Sequence, residues 1–163
     1  DWNNGYNDEV MTPGSGSTYP TYLTVYEEIV NAMAGICSEV AEGKMGEPLQ
    51  QNDPSLEESP FAKNSLTDFK NNITSVKNLY KGNYSGDGKG IEDFVKSYNL
   101  SLHNKITMQI DASLTALNNI TVPFGEAISA QPVQVQNAIT AIETLGKTLT
   151  DELLPLVGQH VKN

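Results

Sequence analysis

The sequence predicts an all-α protein, an antiparallel four-helix bundle. Four stretches place apolar residues at alternating three- and four-residue steps, and no pair of alternating segments reads as paired strands. Polar, Pro- or Gly-rich stretches separate the four, so each helix can fold back on its predecessor. With 163 residues, 38% of them hydrophobic, the chain can bury a real core.

Residues 1–20 read as an irregular amino-terminal segment, rich in Asn, Gly, Ser and Thr and broken by Pro13 and Pro20. Residues 21–163 read as the bundle. Its first stripe is Tyr22, Tyr26, Ile29, Met33, Ile36 and Val40, expected to stop at Gly43 and Gly46 before a polar connection from Pro48 to Pro60. The second helix starts at Asn64 or Ser65, with Ser65 and Asp68 spaced as a capping box and Leu66, Phe69, Ile73, Val76 and Tyr80 inward. Four glycines make Lys81 to Gly90 a loop, and Ile91 to Lys96 can form one or two turns. The third long helix spans about Ser101 to Asn119, burying Leu102, Ile106, Ile110, Leu114 and Leu117. Pro123 breaks it and a short amphipathic piece follows over Phe124 to Ile128. Pro132 suits the first turn of the last helix, whose stripe runs Val135, Ala138, Ile142, Leu145, Leu149, Leu153 and Leu156, with Pro155 kinking its end.

Charge narrows the function. Twenty acidic residues face ten basic ones, all lysine, and a net charge of −10 repels nucleic acids and anionic lipid surfaces. No apolar run is long enough to cross a membrane as a helix. Cys37 is the single cysteine, which excludes an intrachain disulfide and a multi-cysteine zinc site; its place in an apolar stripe reads as a small buried hydrophobe. His103 and His160 lack an acidic residue at H-x-x-E spacing and read as solvated surface histidines. Nucleophile-elbow and P-loop patterns are absent, and Asn83 to Gly88 fails as a calcium loop because its twelfth position is Phe94. Glu57, Glu58, Asp68, Glu92 and Asp93 place carboxylates around the loops, where such groups commonly face water or cap helices. The residues alone assign no catalytic group and no metal ligand.

Three segments carry a resemblance. Glu58-Ser59-Pro60-Phe61-Ala62-Lys63-Asn64-Ser65-Leu66-Thr67-Asp68-Phe69, continuing through Asn72, Ile73, Ser75, Asn78 and Tyr80 to Gly82, resembles the "ES.FS.NS..D...NI.S..N.Y.G" stretch of imelysin-like proteins of Bacteroides-type bacteria, a family named for an insulin-cleaving metalloproteinase. Gln109 to Ile128 is similar too, its Leu117-Asn118-Asn119-Ile120-Thr121-Val122-Pro123-Phe124 matching that family's "AL..I..PF..AI" turn, and Leu149 to Pro155 fits its terminal "L...L.P" pattern. The resemblance implies the carboxy-terminal part of a fold built from two helical bundles, this chain being one of them. It implies export to the cell envelope, as a periplasmic protein or outer-membrane lipoprotein, and kinship with proteins of iron uptake. Asp1 is not methionine, and a leader, a lipid-anchored stretch or a preceding domain is expected upstream.

The family's G-x-H-x-x-E signature does not occur in these residues, so the resemblance implies a divalent metal or iron cofactor only with ligands from outside this chain. By carry-over, Glu58, Ser59, Asn64, Ser65, Asp68 and Asn78 are expected to line a cleft facing an amino-terminal half of the same protein. The leading expectation is binding of a small ligand, a metal or iron compound, at that interface. A metallopeptidase whose motif lies outside the chain is the alternative, and a non-catalytic surface interaction module is the third. An exposed apolar helix face would favour the first.

Overall fold

A computed structural model describes residues 5, 7–83, 86 and 88–162. Its helices are α1 (Asn7–Met11), α2 (Tyr22–Ser38), α3 (Glu47–Gln51), α4 (Ser65–Lys81), α5 (Ile91–Tyr98), α6 (Leu100–Asn118), α7 (Phe124–Ala130), α8 (Pro132–Thr148) and α9 (Leu154–His160), and no strand occurs among the described residues. The four long helices close a ring: α2 packs on α4 and α8, and α6 packs on the same two. Val30, Met33, Phe69, Ile73, Ile106 and Ile142 are buried within it. No described helix is long and apolar enough to cross a membrane.

Each start has a local cause. Thr21 and Thr24 form a reciprocal capping box at α2. Asn99 accepts the Leu102 N–H at 3.0 Å to open α6. Gly82 adopts a left-handed φ of 73°, and a Cβ there would lie 2.4 Å from the Lys89 backbone, so the neck of the loop before α5 closes only on glycine.

Several expectations need correction. Gly43 and Gly46 do not end the first helix: it widens into a π-helical segment, Glu39–Gly46, and runs on into α3. The last helix widens in the same way over Leu149–Leu153 before α9. Both widened segments stop two residues short of a proline, Pro48 and Pro155. A proline offers no N–H and crowds the carbonyl four residues back; a wider turn shifts the pairing, as in the Glu47 N–H to Glu42 carbonyl bond. Gly46 is required there because a Cβ would stand 2.8 Å from the Ala41 carbonyl oxygen. The buried face of α2 is also turned relative to the predicted stripe: Val25, Val30, Met33 and Cys37 are buried while Tyr22 is exposed. Within residues 1–20, α1 forms one short helix, and the Thr18 amide donates to the Glu9 carboxylate.

Cys37 is fully buried, and burial pushes its thiol up to about 12, as a small core hydrophobe should behave. The histidines differ from expectation. His103 is half-buried and stacks on Tyr80 with rings 14° apart, its Nδ1 3.1 Å from the Tyr80 hydroxyl. His160 stacks on Tyr98 at 4.2 Å. Neither is a free surface imidazole; each stacks on the face of a tyrosine ring. Tyr84, Ser85 and Asp87 of the calcium-loop reading lie outside the described residues.

Candidate functional site

The chain from Asn52 to Asp68 wraps the end of the bundle where α4 begins. Asn52, left-handed at φ 50°, ends α3. Asp53 then caps the 3-10 turn Pro54–Leu56, accepting the Ser55 hydroxyl at 2.7 Å and its N–H at 2.9 Å; these bonds hold the Asp53 carboxyl below its ordinary value. That turn packs on α7.

Glu57 points inward and is buried. Its Oε2 accepts the Ser65 hydroxyl at 2.7 Å, and Ser65 Oγ accepts the Ser59 N–H at 3.1 Å. Ser59 donates its own hydroxyl to Asp68 Oδ2 at 2.9 Å, and Asn64 donates its amide to Asp68 Oδ1 at 2.7 Å. Two carboxylates are thus joined through two serines, and the loop between them is fixed at both ends. Gly125 at the start of α7 makes room for Glu57, since a Cβ there would stand 2.6 Å from Oε1. Beneath the polar network Phe69 and Phe124 meet edge to face at 5.1 Å, locking the first turns of α4 and α7 together.

Ion pairs flank the loop. Lys44 reaches Glu58 at 2.8 Å and Glu39 at 3.3 Å, and the Glu58 contact first of all raises its pKa. Lys63 reaches Glu126 of α7 at 3.2 Å. Pro54, Glu57, Lys63, Pro123 and Gly125 line a hollow of about 250 Å³ between loop and helix.

Of the six residues expected to line a cleft, Glu58, Ser59, Asn64, Ser65 and Asp68 come together here. Asn78 does not: it lies exposed in the last turns of α4, its carbonyl accepting the Gly82 and Asn83 N–H groups. The expected capping box at Ser65 and Asp68 is also absent. The helix starts at Ser65, one of the two expected positions, but with Asn64 at the cap position, so Ser65 falls inside the first turn and its hydroxyl turns to Glu57. Glu57 itself was outside the six; nothing in the linear pattern separates it from Glu58, and only the folded chain shows which of the two is buried.

The donor set suits hydrogen bonding better than metal ligation by this chain alone. Asp68 accepts on both oxygens, Glu58 is engaged by Lys44, and no group of three or more His, Cys, Asp or Glu residues is placed to hold a metal ion among the described residues.

A sequence model of the Imelysin family (Peptidase_M75) matches residues 1–151. Iron-regulated protein A of Synechococcus elongatus is 33% identical over an alignment of 159 residues, a match that covers 93% of this chain and 44% of that protein. The crystal structure of an imelysin peptidase from Bacteroides ovatus superposes with a TM-score of 0.76 at 29% identity, covering 86% of this chain and 42% of that one. A Parabacteroides distasonis protein named as an iron-regulated protein A precursor gives a TM-score of 0.79 at 26% identity over 91% of this chain and 45% of that one. The chain therefore spans less than half the length of these relatives.

Proposed function

The chain belongs to the imelysin family, and we propose that it supplies one wall of a ligand site in an exported envelope protein. The other wall is the portion of the family's polypeptide that these residues do not span. The ligand in this reading is a metal ion or iron compound, in keeping with the names of the iron-regulated relatives, and its ligating residues lie outside this chain. One observation carries the reading: Ser59, Ser65 and Asn64 hold Glu57 and Asp68 in a fixed array at one end of the bundle, where the segment that resembles the family's motif begins. An array so fixed presents hydroxyl, amide and carboxylate groups without reorganising when a ligand arrives.

The exposed large apolar side chains lie on several elements, among them Phe61 in the loop, Leu100 and Met108 on α6 and Val133 on α8. Spread singly over several elements, these side chains do not form the exposed apolar helix face that would separate an interface from a surface module. A peptidase reading follows the name of the Bacteroides ovatus relative and needs the same outside residues.

Calorimetric titration of zinc and of ferric citrate into residues 1–163 and into the full-length gene product tests this. The short chain is expected to give no heat of binding, the full-length protein a saturable one, weakened about tenfold or more by Asp68→Asn. Equal binding by both, or an Asp68→Asn protein that binds like the wild type, would sink the reading.

A further inference from the structure

Phe61, in the loop between Glu57 and α4, is fully exposed, and Ala62 beside it is exposed too. A free loop would lay so large an apolar ring against the protein to remove it from water. This loop is not free. Hydrogen bonds from Ser59, Asn64 and Ser65 fix its base, and Glu58 beside it is paired with Lys44 at 2.8 Å. Lys63, two residues after the ring, sits at a φ of 53°. A non-glycine residue stays in that region only when its surroundings over-determine it, and such residues cluster at binding sites. An aromatic ring held into solvent by an ordered frame has the form of an interface anchor, because the loop loses little freedom when the ring enters a pocket.

We propose that Phe61 anchors this chain to the portion of the family's polypeptide outside residues 1–163, entering an apolar pocket there beside the Ser59–Asp68 wall. Chain length argues for that occupant. Between 86% and 93% of this chain is matched by relatives of which it covers only 42% to 45%, so more than half of each relative is polypeptide beyond the matched part. A second copy is the poorer occupant, since two chains of net charge −10 repel one another. The proposal rests on the reading that this wall faces the rest of the protein, and names the contact that holds it there.

The test is photo-crosslinking in the full-length gene product with benzoylphenylalanine in place of Phe61, read by peptide mass spectrometry. The expected result is an intramolecular crosslink to a peptide outside residues 1–163. Crosslinks between copies, crosslinks only within residues 1–163, or none would overturn the proposal. Phe61→Ala gives a second readout. It should leave the unfolding midpoint of residues 1–163 alone unchanged, and in the full-length protein should speed proteolysis of the outside portion by on the order of tenfold. An unchanged proteolysis rate would also overturn it. Crosslinking as expected without zinc or iron binding keeps the anchor and removes the ligand reading. Binding without the crosslink does the reverse.

Discussion

At the end of the bundle where α4 starts, Ser65 donates into a buried carboxylate, and Ser59 and Asn64 tie the preceding loop to Asp68. At the end where α4 stops, about 25 Å away for a helix of this length, ring contacts predominate, with the Tyr80 hydroxyl 3.1 Å from His103 Nδ1. Tyr80 lies against His103, Phe94 meets both Tyr26 and Tyr98, and Tyr98 lies against His160. Hydrogen bonds are directional and fix one loop shape. Stacked rings keep their attraction over a range of offsets and mainly exclude water. The polar end can therefore hold a chosen set of groups toward a ligand or partner, and the aromatic end serves as closure. Position along one helix separates the two roles.

The largest expected effect asks whether the polar network stands without its apolar floor. Phe124 is fully buried against Phe69, and Phe124→Ala should cost about 3–5 kcal/mol, lowering the melting temperature by roughly 10 °C. A cost below about 1 kcal/mol would mean that the hydrogen bonds hold α4 and α7 together unaided.

The next pair sets one end against the other. Ser65→Ala leaves the buried Glu57 carboxylate without its hydroxyl donor and should cost about 2 kcal/mol. Tyr80→Phe removes one hydroxyl facing a half-buried imidazole and should cost about 1 kcal/mol or less. Urea titrations of both variants check the order. Equal costs would erase the distinction between a directional end and a stacked one.

Acid should soften the aromatic end first. Burial, with help from Lys96 and Lys81 and against the pull of Glu92, holds His103 below its ordinary value of 6.5. The unfolded chain therefore takes up this proton before the folded one, so stability falls as pH drops from about 6.5 through the lower folded value. Asp53 at the polar end is held below its ordinary 3.8 by Ser55, so its contribution is complete above 3.8 and is lost only as pH falls through its lower folded value. Amide exchange at pH 7 and pH 5 should show faster opening around Tyr80 and His103 with little change around Ser65. His103→Gln should flatten the pH 5–7 part of the melting profile. A profile equally steep in that variant would remove His103 as the cause.

The same contrast explains what could be read from the sequence. Helix existence was legible because burial repeats at the helical period: Phe69, Ile73, Val76 and Tyr80 of α4 all fall inside as expected. Glycine and proline misled at Gly43, Gly46 and Pro48, because a widened turn lets a packed helix pass residues that would stop an isolated one. Five site residues came together because they lie within eleven consecutive positions, Glu58 to Asp68. Asn78 belongs to the same resemblance but sits too far along the helix to join them. The aromatic end was illegible, since Tyr98 and His160, or Tyr80 and His103, become neighbours only through tertiary packing.

The smallest effect tests whether the polar end stores strain. Lys63 holds a left-handed backbone that costs a non-glycine residue on the order of 1 kcal/mol. Its ion pair with Glu126 joins two side chains more than half exposed, where such a pair contributes little. Lys63→Ala keeps the strained φ and loses the pair, so stability should fall by a few tenths of a kcal/mol. Lys63→Gly loses the same pair but removes the strain, offset in part by the greater freedom of glycine in the unfolded chain, and should end roughly 0.5 kcal/mol above the alanine variant. The comparison between the two variants cancels the lost side chain, and their order in a thermal melt reports the backbone alone. Glycine above alanine means the loop bends against its own preference to hold Phe61 outward. Alanine level with or above glycine means the left-handed turn costs nothing here, and the hydrogen bonds of the polar end would then select a shape the loop already prefers.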